Sequence, residues 1–283
     1  MSSRIGSVAH AGPAKLLVEN LTRSFRGQHG RPLPILERID LRAEENEFVA
    51  IVGPSGCGKS TLFNIVAGLL LPDSGHVYMN GKDIRGVPGS VAYMMQKDLL
   101  LEWRTILENV TLGPELSGEP RSSFRSRARD LIRRFGLEGF DSFYPSALSG
   151  GMRQRAALLR TVLCDKSVLL LDEPFGALDA LTRSAMHVWL LDIWQDFRRT
   201  VLFITHDPEE AVFLSDRIYV LTSRPARVKG IVEVSLPRPR GHEIIGTLEF
   251  AQLKRRVLDL VWEEETRSLQ SRPGEPSGDI GAT

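Results

Sequence analysis

An α/β fold on a mainly parallel sheet is the class this sequence predicts, and three features predict it. The short apolar runs Phe48–Val52, Val168–Leu171 and Val201–Thr205 have the near-continuous apolar character of strands buried on both faces. Helix-length segments separate the later runs, the alternation expected of a parallel sheet covered by helices. The first run passes through Gly53-Pro54-Ser55-Gly56-Cys57-Gly58-Lys59-Ser60-Thr61 into Leu62–Ala67, which reads as strand, glycine-rich turn and helix.

That turn has the chemistry of a phosphate cradle. Gly53, Gly56 and Gly58 let the backbone close around a phosphate with successive N–H groups facing its oxygens. The helix starting near Lys59 adds the positive end of its dipole. In the pattern G-x-x-x-x-G-K-[ST], the lysine charges the β- and γ-phosphates and the next hydroxyl serves Mg²⁺, roles that fall to Lys59 and Ser60. A chance glycine-rich turn is the competing reading, and the strand–loop–helix context speaks against it. The loop is expected to bind a nucleoside triphosphate.

Composition sets the outer limits. A chain of 283 residues suits one large α/β domain with an appendage, or two modest domains. Hydrophobic content of 42% and charged content of 25% are ordinary for a globular protein. A formal net charge of +1 gives no whole-molecule case for nucleic acid or an anionic membrane surface. No apolar run reaches the roughly 18–20 residues that span a bilayer; the longest, Leu62–Leu71, is interrupted by Asn64 and Gly68. Residues 1–14 lack the apolar core of a secretory signal and are expected to form a disordered leader. The two cysteines, one of them inside the glycine-rich turn, point to a reducing cytoplasm without a disulfide.

In chain order, Lys15–Phe25 reads as a strand, Gly27–Pro34 as a loop and Ile35–Leu41 as a second strand. Pro72-Asp73-Ser74-Gly75 and Asn80-Gly81 bracket His76–Met79, which suggests short antiparallel strands. Val91–Met95 is a further apolar strand, ending at Gln96. From Ile106 to Arg160 the pattern is helical. The charge run Arg125-Ser126-Arg127-Ala128-Arg129 within it reads as a solvated helix face. Strand Ile218–Leu221 closes the alternating part. Thr247–Glu265 has the apolar spacing of an amphipathic helix packed on the domain, and the residues after it have the composition of a disordered tail.

Polar residues follow the apolar runs: Gln96 after Val91–Met95, Asp172 and Glu173 after Val168–Leu171, His206 after Val201–Thr205. In open parallel sheets ligands bind at the carboxyl ends of strands, so these residues and Lys59 are expected to share one site. Each alone is as readily a satisfied cap. Two adjacent carboxylates at a buried strand end, however, need a cation, and Mg²⁺ shared with phosphate oxygens is the natural one. Leu148-Ser149-Gly150-Gly151-Met152-Arg153-Gln154-Arg155 opens a second helix whose start could bind an anion. One nucleotide rarely needs two cradles from one chain. A head-to-tail dimer, each copy closing the other's nucleotide, resolves this.

With these segments in order, residues 15–240 resemble the ATP-binding-cassette (ABC) ATPases. GPSGCGKST resembles their Walker A loop, VLLLDEP their Walker B strand, LSGGMRQR their signature, ALD at 177–179 their D-loop and THD at 205–207 their switch histidine. The resemblance implies a P-loop ABC ATPase with a mainly parallel core sheet, an antiparallel β subdomain and a helical subdomain insert at about 97–160. An appendage at 241–266 and a disordered tail at 267–283 complete the expected division. ATP and Mg²⁺ are the implied ligands. Phe25 is in the position of the aromatic that stacks on adenine, with a core aromatic as its plain alternative. Gly53, Pro54, Ser55, Gly56, Cys57, Gly58, Lys59, Ser60 and Thr61 form the phosphate contacts. Ser60, Gln96 and Asp172 attend the metal, Glu173 is the general base and His206 holds the γ-phosphate and the attacking water. Lys59 and Gln96 belong to the same catalytic set. Ser149, Gly150 and Gly151 approach the nucleotide of the opposite subunit, and Asp179 lies at the dimer seam.

Finer features resemble the nitrate/sulfonate/taurine importer ATPases: the run from Gln96 to Val110, Pro174 to Asp179, and Ser223-Arg224-Pro225-Ala226-Arg227 through Arg240. Glu102 stands where these proteins carry proline before the tryptophan, and Met94-Met95 and Leu159-Arg160-Thr161 also depart from their pattern. The implied partners are a second copy of the chain, separate transmembrane permease subunits and an extracytoplasmic solute-binding protein acting through the permease. The implied location is the cytoplasmic face of the membrane. Leu100, Trp103 and Ile106 are expected to line a groove for a permease helix. A soluble ABC ATPase acting on nucleic acid or ribosomes is the alternative. The near-neutral charge and the single undivided cassette argue against it.

Overall fold

The computed structural model describes residues 14–27, 30–176 and 178–270. Two sheets carry the chain. Strands β1 (Leu16–Arg26), β2 (Pro32–Ala43), β4 (Ser74–Met79) and β5 (Lys82–Asp83) form an antiparallel sheet in the order β2-β1-β4-β5. Strands β3 (Phe48–Val52), β6 (Ala92–Met94), β7 (Val168–Asp172), β8 (Thr200–Thr205), β9 (Arg217–Leu221) and β10 (Val228–Glu233) form the second, ordered β10-β9-β3-β8-β7-β6. That sheet is parallel except for β10, which runs antiparallel on its edge.

The apolar runs are strands because each has two dry faces to satisfy. In β3, Phe48, Ala50 and Val52 enter the core beneath the helical side, while Val49 and Ile51 enter the core shared with the antiparallel sheet. All five are fully buried, and burial of each large apolar side chain contributes about 1.5–3 kcal/mol. Strands β7 and β8 divide the same way, with Leu169, Leu171, Val201 and Phe203 on one side and Leu170, Leu202 and Ile204 on the other.

Helix α1 (Lys59–Val66) lies in the core between the sheets, contributing Leu62, Phe63, Ile65 and Val66. The opposite face is covered by α2 (Ile106–Val110), α3 (Leu112–Leu116), α4 (Arg121–Arg134) and α5 (Gly150–Leu163), then by α6 (Ala180–Phe197), α7 (Pro208–Leu214) and α8 (Leu248–Gln270). The arginine run falls on α4, whose buried residues are Phe124, Ala128, Leu131 and Ile132. Its arginines take the outer face. Among the described residues no helix is long and apolar enough to cross a membrane.

Several expectations need correction. The loop expected at Gly27–Pro34 is shorter, because Pro32 and Leu33 pair with Arg26 and Phe25. Strand β2 is the sheet edge, where proline costs no ladder bond. Strand β10 was not foreseen. Helix α8 continues through Gln270, past the boundary at 266 where a disordered tail was expected. Residues 1–13 and 271–283, on which the leader and the rest of the tail fall, lie outside the described residues. Leu100 and Ile106 do not line a surface groove; both are buried in the core. Trp103 alone of the three is exposed, at 74%.

Candidate nucleotide site

The register of the parallel sheet brings the strand ends level. Val52 pairs with Thr205 and Val220, Leu171 with Phe203 and Met94. The residues that follow therefore emerge along one rim. From β3 comes the glycine loop, in which Gly53, Pro54, Cys57 and Lys59 are buried and Ser55, Gly56 and Ser60 exposed. Gly58 has φ 128°, and a Cβ there would come within 2.8 Å of Ile35 and 2.9 Å of Leu36. Strand β2 thus seals the back of the loop so closely that only glycine fits.

Lys59 is 6% exposed, and its Nζ donates to the carbonyls of Gly53 (2.8 Å) and Pro54 (3.0 Å). The ammonium is held inside the loop it would serve. Helix α1 begins with no side-chain cap, which leaves its first amides to a ligand.

Asp172, at the end of β7, is 4% exposed. Burial raises its carboxyl above the ordinary range; hydrogen bonds from Ser60 and Tyr93 and the nearby Lys59 charge oppose that rise, while Glu173 adds to it. The Tyr93 hydroxyl donates at 3.2 Å, and burial pushes that phenol upward as well. A buried carboxylate pushed toward its neutral form is stabilised by an adjacent cation, so Asp172 and Ser60 fit a bound Mg²⁺.

Glu173 has φ 46°, a left-handed conformation uncommon for a residue with a side chain. Its amide donates to the Ile204 carbonyl at 3.0 Å. Its Oε2 accepts from Gln96 Nε2 at 3.0 Å and stands 3.6 Å from His206 Nδ1. Three strand ends meet at that one oxygen. Gln96, Glu173, Lys59, Ser60 and Thr61 border a common cleft of about 360 Å³ with the glycine loop.

Other expected site residues stand apart from this cleft. Phe25 is 38% exposed and lines a different hollow, with the Arg23 guanidinium 5.0 Å from its ring centroid. Ser149 and Gly150 are exposed at the start of α5, where the Ser149 hydroxyl accepts from the Met152 amide at 3.3 Å. Gly151 packs so close to α6 that a Cβ would meet Thr182 Cγ2 at 3.2 Å. Asp179 caps α6, accepting from the Thr182 amide at 3.0 Å, and that contact holds its carboxyl below the usual range. Ala177 lies outside the described residues.

The segment after Gln96 is tied to α5. Arg160 donates to the carbonyls of Leu99 (2.7 Å) and Asp98 (2.5 Å), and Arg153 Nε lies 3.4 Å from Asp98. Asn109, fully buried, bonds both the amide and the carbonyl of Leu101 and the carbonyls of Arg104 and Thr105. Trp103 therefore projects from a pinned turn. Sequence reasoning missed two contributors, Tyr93 and Arg224. Tyr93 looked like one apolar residue among others, and the stretch around Arg224 was marked only by resemblance, with nothing to tie it to the loop, where its Nε donates to the Gly56 carbonyl from 168 residues away.

Residues 36–176 match the family model described as ABC transporter. The chain is 45% identical over 256 residues to the uncharacterized ABC transporter ATP-binding protein MJ0412 of Methanocaldococcus jannaschii, covering 90% of this chain and 94% of that one. This chain belongs to the ABC transporter family. As a cassette of that family it is an ATP-binding protein whose activity is ATP hydrolysis coupled to transport. The cassette is also 44% identical to the formylaminopyrimidine import ATP-binding protein ThiZ of Halalkalibacterium halodurans, over 83% of this chain and 92% of the relative. It is 38% identical to the nitrate import ATP-binding protein NrtD of a Synechocystis species, over 90% and 98%. Identity to the taurine import protein TauB of Ruegeria pomeroyi is 37%, over 88% and 95%. Among solved structures, the dimeric ABC transporter cassette MJ0796 superimposes with a TM-score of 0.68 at 29% identity, covering 80% of this chain and 99% of that one. The expected fold and family are thereby confirmed.

Proposed function

We propose that this cassette energises an importer of a small solute of the nitrate/sulfonate/taurine type. It would work as a nucleotide-sandwich dimer on the cytoplasmic face of a membrane, with separate permease subunits and a solute-binding protein upstream. The observation that carries the catalytic part is the convergence of Gln96 and His206 on Glu173 at the mouth of the glycine loop.

The loop amides and Lys59 bind the β- and γ-phosphates, Lys59 exchanging two carbonyl oxygens for phosphate oxygens. Phe25, partly exposed with the Arg23 guanidinium over its ring, would stack on adenine once that guanidinium moves aside. Ser60, Gln96 and Asp172 would hold Mg²⁺, which when bound would neutralise charge on the phosphate tail. Glu173 takes the proton of the attacking water, and His206 orients that water against the γ-phosphate. Gln96 senses the occupied cleft and passes the change to the segment that Arg160 holds, which ends in the exposed Trp103. Ser149 and Gly150, exposed at the start of α5, and Gly151, packed beside α6, would meet the nucleotide of a second copy, with Asp179 beside the seam. The solved MJ0796 cassette is a dimer, which supports that arrangement.

Relatives at 37–44% identity are named for three different solutes. The resemblance in the 96–110 segment favours the nitrate/sulfonate/taurine type among them. Reconstitution with the permease in vesicles tests the whole reading. ATP-dependent uptake of an anionic nitrogen or sulfonate solute is the expected result, and ATP hydrolysis unresponsive to any permease would sink it.

A further inference from the structure

The stretch Ser223-Arg224-Pro225-Ala226-Arg227 has no part in the scheme above. It forms the loop after β9, the strand beside β3, and three parts of the fold hold it. The Ala226 amide donates to the Ile35 carbonyl at 2.8 Å, and its carbonyl accepts from the Glu37 amide at 2.9 Å. This is the part of β2 that seals the glycine loop. The Thr222 hydroxyl spans the loop, donating to the Pro225 carbonyl at 3.2 Å and accepting from the Arg227 amide at 2.9 Å. From the far end of the chain, Glu264 of α8 accepts from the Ser223 amide at 3.3 Å. Glu264 is 3% exposed, and its other oxygen lies 3.0 Å from Lys229 Nζ.

On this mount the Arg224 guanidinium bonds the Gly56 carbonyl through Nε, and one terminal nitrogen lies 3.3 Å from where a Cβ on Gly56 would stand. Arg224 borders the same cleft as Lys59, Gln96 and Glu173. Gly56 has φ 71°, so the loop turns there in a conformation that only glycine adopts freely.

We propose that Arg224 is a positioning residue for the phosphate loop, and that Glu264 of the C-terminal helix sets it through Ser223. A charged donor on the Gly56 carbonyl fixes that peptide outward, which keeps the neighbouring amides pointed into the cleft. Without it, bound nucleotide must order the loop, and apparent affinity falls by the fraction of time the loop is misplaced. The proposal rests on the cleft's being the nucleotide site.

The test compares full-length wild type with Arg224→Ala, Arg224→Lys and Glu264→Gln. Affinity for a fluorescent ATP analogue, steady-state hydrolysis and melting temperature with and without ATP are the readouts. Arg224→Ala is expected to raise Kd and KM about tenfold, with a smaller change in kcat. The nucleotide-free melting temperature should hold while the rise produced by ATP shrinks. Arg224→Lys should recover part of the affinity, since an ammonium can donate to the same carbonyl. Glu264→Gln should shift affinity in the same direction by less. Wild-type affinity in Arg224→Ala overturns the proposal, as does a fall in nucleotide-free melting temperature that accounts for the whole loss. Wild-type affinity in Glu264→Gln overturns the part assigned to α8. A wild-type protein that binds no nucleotide refutes the cleft reading before any variant is compared.

Discussion

Two glycine-bearing helix starts, at α1 and at α5, have similar sequences and opposite structures. The α1 start is walled in: Ile35 and Leu36 press on Gly58, Lys59 is buried, and no side chain caps the first amides. The α5 start lies open, with Ser149 and Gly150 exposed and Met152's amide already satisfied by the Ser149 hydroxyl. A ligand finds a finished cradle at the first and half of one at the second. The difference fits the proposed reading, in which the chain completes one phosphate cradle itself and leaves the other as a surface for something brought to it.

The sharpest way to test the finished half is to remove its base. Glu173→Gln keeps the shape and can still meet Gln96 and His206, but cannot accept the proton. Phosphate release should fall by about 10²–10⁴-fold while ATP still binds and the dimer persists in sizing chromatography with ATP and Mg²⁺. Near-wild-type turnover would take Glu173 out of the chemistry.

Gly151→Asp breaks the open half instead. A carboxylate at that helix start repels a phosphate brought by the second copy, so hydrolysis should fall about 10²–10³-fold while monomer affinity for ATP stays near wild type. Because a Cβ there meets Thr182 at 3.2 Å, the melting temperature must be measured alongside. A large loss of monomer affinity would mean that α5 serves its own chain's nucleotide, and the contrast between the two starts would collapse.

Trp103→Ala probes where motion leaves the site. With 74% of its surface exposed on a turn that Asn109 pins, the ring has no core to support and is proposed here as an anchor for a permease helix. Co-purification with the permease should weaken by about 2 kcal/mol, roughly thirtyfold, while the fold and ATP binding survive. Glu102 beside it favours a permease carrying Arg or Lys there. Unchanged co-purification would send the search for the docking surface elsewhere.

The smallest effect concerns stability. Burial raises Asp172's folded pKa above 3.8, so between that pH and the raised value the native state holds the extra proton. Stability contributed by this group is therefore present below about pH 3.8 and declines as pH rises through the window. Asp172→Asn should flatten that decline and raise the nucleotide-free melting temperature at neutral pH. An unaltered pH profile would mean that Ser60 and Tyr93 already compensate the buried charge fully.

The parallel core was legible because its strands have two dry faces, and Phe48–Val52 or Val201–Thr205 can hardly be read otherwise. Strand β10 was not, since only Val232 of its six residues is buried and Lys229 and Gly230 interrupt any alternation. Leu100 and Ile106 misled because proximity to a strand end in sequence says nothing about which side of a turn faces inward. Asn109, which settles it, acts through backbone amide and carbonyl groups that have no sequence signature. The residues around the cleft were foreseen where they follow strands directly. Arg224 was not, because its contact with Gly56 exists only once β9 lies beside β3, and a motif records neighbours along the chain rather than across it.

Cys57 lies inside the phosphate loop, 2% exposed, with its thiol pushed upward by burial. A sulfur kept protonated and out of reach is a poor nucleophile, so a blocking reagent must wait for the loop to come apart. Its labelling rate then counts excursions of the loop rather than the chemistry of the thiol, with the less enclosed Cys164 as an internal reference. The cradle carries its own stopwatch, and nucleotide in the cleft should stop it.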